Sequence, residues 1–168
     1  IAAAMESRRR EEQAAASDRR GLAWLELLRG GAGLFLEADS APAFERLDTG
    51  LELAADTGDR GLIALAVCYR GWGRAVYGDL SGSNVDLVRA GDMARACGMT
   101  WLAADADCGR ALVDTYCGRF EEATSTIRGL LSSPIRLAMP ALEALSKELL
   151  GNQAYALGRY REAVGALS

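Results

Sequence analysis

The sequence predicts an all-α solenoid, built from antiparallel helix pairs that recur every 40 residues in about four copies. Apolar residues recur at this step, as in the column Leu22, Leu62, Leu102 and Leu142. Within a copy, apolar residues follow one another at steps of three and four, which is the spacing of an amphipathic helix. No segment alternates apolar and polar residues, so no strand is expected.

Each copy contains two predicted helices separated by a turn. The first helices are predicted at residues 20–38, 60–78, 100–117 and 140–157, and the second helices at 42–57, 83–97, 120–132 and from 160 onward. Pro42 and Pro140 suit a first helical turn. Gly58 and Gly98 suit the position just past a helix end. One helix pair cannot bury both of its apolar faces alone, so the copies are expected to stack.

The whole chain, residues 1–168, is predicted to form one repeat domain. The copies are predicted at about residues 20–58, 60–98, 100–138 and 140–168. The last second helix is shorter than the others, and the chain does not start with methionine. We therefore expect a fragment of a longer protein.

Composition limits the classes of function. Half of the residues are apolar and a quarter are charged, which is typical of a globular domain. The net charge of −4 favours neither nucleic acid nor an anionic membrane as a partner. No apolar run approaches the ~18 residues of a membrane helix. The N-terminal stretch lacks the apolar region of a signal peptide, so a cytoplasmic protein is expected.

Several residue types and motifs of common active sites are missing. The chain has no histidine, which is the commonest general base and zinc ligand. Its four cysteines form no CxxC pair, and no glycine-rich phosphate-binding motif is present. We therefore expect no catalytic activity, no metal site and no cofactor.

The stretch LGNQAYALGRYREAVGAL, residues 150–167, resembles a tetratricopeptide repeat. Leu150 and Gly151 match the leucine-glycine of the first helix, Gly158 matches the turn, and Tyr160 and Ala163 match the second helix. The period departs from the family, being 40 residues rather than about 34. The long first helices, with GDRGL and GMTWL junctions, also resemble the helical arrays of large ATP-binding LuxR-family transcriptional regulators from actinobacteria.

The resemblance to tetratricopeptide arrays implies that first helices line a concave face. Asp105 is the one polar member of its column, which otherwise holds Leu25, Leu65 and Leu145. Carried over by column, the expected partner groove contains Leu25, Phe35, Leu65, Cys68, Trp72, Asp105, Cys108, Leu112, Tyr116, Asn152 and Tyr155. The alternative for Trp72 and Tyr116 is that they are core residues.

Charged residues on the first helices of copies two and three predict a second feature. By column, Arg74 aligns with Asp114 and Arg70 with Arg110, while Asp107 lies one turn before Arg110. The pattern favours a structural ion-pair ladder between neighbouring helices, with an Arg74–Asp114 salt bridge across adjacent first helices. The other hypothesis is a polar anchor within the groove.

The leading functional hypothesis is a non-catalytic sensor or interaction domain of a bacterial LuxR-type transcriptional regulator. It would bind a protein, a peptide or a small effector, without contacting nucleic acid or membrane itself. The alternative is a stand-alone tetratricopeptide scaffold that binds a peptide or partner helix. Self-association through exposed terminal repeats is a further option for either hypothesis.

Overall fold

The computed structural model describes the backbone of residues 2–36 and 40–167 and the side chains of residues 17–34, 36 and 40–166. The side chains of Phe35 and Leu167 therefore lie outside the described residues. Every element in these ranges is a helix, which confirms the predicted all-α fold. The helices are α1 (Ala2–Leu36), α2 (Ala41–Thr57), α3 (Arg60–Val76), α4 (Leu80–Ala96), α5 (Thr100–Tyr116), α6 (Phe120–Ser132), α7 (Ile135–Ala138), α8 (Pro140–Ala156) and α9 (Tyr160–Leu167).

The predicted period of 40 residues consists of two equal steps of one helix and one turn. Each of α3, α4, α5 and α8 has 17 residues. Glycines with positive φ follow the helices at Gly58, Gly78, Gly98, Gly118 and Gly158. This left-handed conformation suits glycine because it has no Cβ. After four of these helices, backbone hydrogen bonds such as Asp79 N to Arg74 O (2.9 Å) close the turn.

One turn of the array departs from this pattern. The regular spacing of the turn glycines would place a glycine at residue 138, where the chain has Ala138. Pro134 follows α6, which ends early at Ser132 with the next residue in an extended conformation. Proline disfavours a helical conformation in the residue before it. The short helix α7 then fills the rest of the step before Pro140 begins α8.

Helix packing shows how the array curves. Successive helices contact each other along the chain, and the first helices α1, α3, α5 and α8 also contact one another in order. Among the described residues, no comparable contact joins α2 to α4 or α4 to α6. The first helices are therefore closer together than the second helices and form the inner row of the curved array.

Leucine columns fill the space between stacked copies. Leu62, Leu102 and Leu142 are buried, whereas Leu22 on α1 is 51% exposed. A small residue marks a close helix crossing: a Cβ placed on Gly30 of α1 would lie 2.9 Å from the backbone oxygen of Ala43 on α2. Small residues at such crossings let helices approach closely. None of the described helices is long and apolar enough to cross a membrane.

Candidate functional site

A cavity of about 470 Å³ lies on the inner face of the array. Each of the four inner helices contributes to its lining: Leu28, Gly31, Ala32 and Leu34 from α1, Tyr69 and Trp72 from α3, Asp105 from α5, and Leu145 from α8. The lining is mostly apolar, with two aromatic rings and one carboxyl group. Small-molecule sites in proteins have this size and this mixture of groups.

The carboxyl group of Asp105 is held by neutral donors. Trp72 Nε1 donates a hydrogen bond to Asp105 Oδ2 at 3.1 Å, and Cys68 Sγ donates to the same oxygen at 3.4 Å. Asp105 is half-buried, and no described arginine or lysine lies within salt-bridge distance of it. A carboxylate that leaves water without a cationic partner costs free energy.

The ionisation of this cluster is altered by burial. Burial raises the pKa of Asp105, and the hydrogen bonds from Cys68 and Trp72 oppose that increase. Burial and the negative charge of Asp105 both raise the pKa of the Cys68 thiol and of the Tyr69 phenol. The charge of Asp105 also adds to the increase that burial causes in the pKa of Cys108.

Asp105→Asn is expected to raise the free energy of unfolding at pH 7 by about 1 kcal/mol, because it removes the cost of a half-buried carboxylate without a cationic partner. Because the folded-state pKa of Asp105 is above its unfolded value, protonation favours folding. The stabilisation that comes from protonated Asp105 is complete below the pKa of about 4 that an aspartate has in the unfolded chain. It is lost as the pH rises through the higher pKa of Asp105 in the folded protein. Urea unfolding of both proteins between pH 4.5 and 7.5 should show the advantage of the variant growing with pH.

The matched control for this prediction is Asp107→Asn on the same helix. Asp107 contacts Arg95 at 3.1 Å and Arg110 at 3.6 Å, so its neutralisation should lower stability slightly. A stability of Asp105→Asn at or below that of the unchanged protein at pH 7 would contradict the prediction.

Several residues expected in the groove are instead core residues. Trp72 and Asp105 line the cavity, but Leu65, Cys68, Cys108 and Leu112 are buried among the helices. The reason is that each inner helix in the middle of the array packs against helices on several sides, as α3 does against α1, α2, α4 and α5. Only a narrow strip of each inner helix therefore reaches the cavity.

The remaining expected groove residues whose side chains the structure describes are exposed outside the cavity lining. Tyr116 ends α5, while Asn152 and Tyr155 are near the end of α8. Tyr155 packs edge-on against Tyr160, with 5.6 Å between ring centroids. Leu25 is exposed on α1 and also does not line the cavity.

Sequence reasoning missed several lining residues, including Leu28, Tyr69 and Leu145. Leu145 belongs to the column of Asp105, and Tyr69 precedes Trp72 by one helical turn. Both relations were signals that could have placed these residues beside Trp72 and Asp105. On α1, Ala32 lies 40 residues before Trp72 and Leu28 lies 40 residues before Cys68, so the repeat columns also carried a signal for this helix.

The ion pairs differ from the predicted ladder. Arg70 binds Asp86 of α4 through two hydrogen bonds, Nε to Oδ2 at 2.8 Å and Nη2 to Oδ1 at 2.9 Å. Arg74 donates from Nη1 to Asp86 Oδ2 at 2.8 Å. Both arginines therefore face the second helix of their own pair, where Asp86 is buried. Asp114, the predicted partner of Arg74, pairs with a different arginine.

The other members of the predicted ladder also pair locally. Asp114 accepts hydrogen bonds from Arg119, which lies across the turn after α5. Asp107 contacts Arg95 of α4 and Arg110 of its own helix. The predicted Arg74–Asp114 salt bridge between first helices is thus wrong, because each side chain reaches a closer partner.

Comparison with protein-family models and with curated proteins finds no match for this chain. The packing of the helices establishes a helical-repeat array of consecutive pairs. The stretch that resembles a tetratricopeptide repeat, residues 150–167, covers the end of α8, the turn at Gly158 and all of α9.

Proposed function

We propose that this chain is a non-catalytic effector-binding domain whose ligand occupies the inner cavity. Four inner helices converge on the cavity, so a bound molecule would contact all four copies of the array at once. The apolar lining would bury the body of a ligand, and the carboxyl group of Asp105 would set its orientation.

The observation that carries this proposal is the position of Asp105 in its column. Leu65 and Leu145 show that leucine packs well at equivalent places in the array. An aspartate there weakens packing and brings a half-buried carboxyl group to the cavity. A recognition role accounts for a residue that packing alone does not favour.

The regulatory part of the proposal comes from the resemblance of the repeats. Arrays of this kind in LuxR-family transcriptional regulators suggest a cytoplasmic sensor domain in a bacterial regulator. A helix-turn-helix or nucleotide-binding domain encoded in the same complete gene would support this role. A complete gene that encodes neither would favour the stand-alone scaffold.

One observation favours the scaffold as a second candidate. Leu22 and Leu25 of α1 are 51% and 40% exposed, lie one helical turn apart on one side of the helix, and are outside the cavity lining. A partner helix could bury this apolar face. The test measures how tightly a captured peptide binds to two variants. If the peptide binds this face and not the cavity, Leu22→Glu should abolish its binding and Glu26→Gln should leave it unchanged.

The neutral apolar dye Nile red provides a test of the cavity as a binding site. Its emission should increase and shift to the blue on binding to the unchanged protein. Ala32→Trp should fill the cavity, because Ala32 is an exposed lining residue, and Trp72→Ala should remove its main aromatic contact. Both variants should bind the dye at least about tenfold more weakly, a loss of ~1.4 kcal/mol.

The control variant is Val88→Trp on the outer surface of α4, which adds the same ring away from the cavity. All three variants should keep nearly the full helical circular-dichroism signal at 222 nm. Unchanged dye binding by a folded Ala32→Trp variant would place the dye elsewhere and count against the proposal.

A further inference from the structure

Asp105 differs from the other aspartates that are removed from solvent. Asp59, Asp86, Asp107 and Asp114 are buried or half-buried in the described part of the chain, and an arginine contacts each of them. Asp105 alone among these has only the neutral Trp72 and Cys68 donors. The lack of a basic side chain beside its carboxylate is the chemical property that distinguishes Asp105.

Aromatic rings accompany this carboxyl group. Trp72 and Tyr69 line the same cavity, and Trp72 is directly hydrogen-bonded to Asp105. Burial raises the pKa of the Tyr69 phenol, and the nearby charge of Asp105 adds to that increase. Aromatic faces attract organic cations, and a neighbouring carboxylate adds direct Coulomb attraction and a hydrogen-bond acceptor.

The rest of the lining selects against other ligand classes. Leu28, Leu34 and Leu145 offer only hydrocarbon to a bound molecule. A neutral ligand would leave the carboxylate desolvated without a partner, and an anionic ligand would be repelled by it. A ligand with an ammonium group on an apolar body would satisfy the carboxylate and the hydrocarbon together.

We infer that the cavity selects a small organic ammonium ion, with its charge beside Asp105 and its apolar body between α1 and α8. The inference rests on the proposed function and specifies the ligand class for the same cavity. The volume of about 470 Å³ favours a small molecule over a folded partner as the occupant.

Three compounds with one hydrocarbon body test the charge preference. Isothermal titration calorimetry at pH 7.5 would compare 4-phenylbutylamine, 4-phenylbutan-1-ol and 4-phenylbutanoate. The protonated amine should bind about tenfold more tightly than the alcohol, which corresponds to ~1.4 kcal/mol, and the carboxylate should bind most weakly. Asp105→Asn should remove the preference for the amine, whereas Asp107→Asn should keep it.

The results separate this inference from the proposed function. Equal binding of the amine and the alcohol, or an amine preference that persists in Asp105→Asn, would overturn the ammonium assignment and leave a neutral-ligand cavity in place. Absence of amine binding at millimolar concentration would also overturn it. Nile red binding that is lost in Ala32→Trp would, in either case, still support the cavity as an effector site.

Discussion

Asp86→Ala is expected to destabilise the fold by about 3–5 kcal/mol, the usual cost of removing one partner from a buried ion pair. The side chain of Asp86 is only 4% exposed and holds both Arg70 and Arg74, at 2.8 Å each. Its loss leaves two partly buried guanidinium groups without their main acceptor. Urea unfolding followed by circular dichroism would measure the change.

Asp48→Ala is the control for the Asp86 variant. Asp48 also contacts Arg70, at 3.5 Å, but its side chain is 61% exposed. Its removal should cost less than about 1 kcal/mol because water already screens the pair. If Asp86→Ala does not fold, Asp86→Asn retains an acceptor and should give an intermediate loss. A cost of Asp86→Ala no larger than that of Asp48→Ala would show that the buried triad contributes little to stability.

Leu65→Ala should lower the free energy of unfolding by about 2–5 kcal/mol, as expected when a buried leucine leaves a cavity. Leu65 has no exposed surface and lies in the core between the helices. The same variant would have a small effect on stability if Leu65 lined an open groove. Thermal and urea unfolding of this variant therefore test the corrected position of the residue directly.

Leu25→Ala offers a control from the same column of the repeat. Leu25 is 40% exposed on α1, which contacts only α2 and α3 among the described helices, whereas Leu65 is buried on α3, which packs between α1 and α5. Its truncation should cost less than about 1 kcal/mol. Equal losses for the two variants would mean that position in the repeat, rather than burial, determines the contribution of this leucine.

The sequence was sufficient to predict the helix pairs because their signals are local. Gly58 and Gly98 mark turns, because the turns require a positive φ that glycine adopts readily, and the leucine columns mark the buried faces. Smaller features were missed for equally local reasons. The helix α4 begins at Leu80 instead of the predicted residue 83 because the Asp79 side chain caps it by accepting from Gly82 N at 2.9 Å.

The candidate site was harder to predict because it depends on how each helix is rotated about its own axis. Trp72 and Leu65 lie on one helix, yet one lines the cavity and the other is core. The partner of Arg74 likewise depends on which neighbour α3 turns it toward, and repeat columns do not encode that direction. Asp105 could be recognised early because its polarity interrupts an apolar column.

In this array, each contact between described helices joins members of one copy or of two consecutive copies. Such repeat proteins fold by nucleation at one pair and growth to the next, and their ends open more easily than their centre. The inner cavity runs across this series, because its lining extends from Leu28 to Leu145. A ligand held there would bind only when all four inner helices are in place. Binding would therefore convert a chain of weakly coupled units into one that unfolds as a single cooperative block.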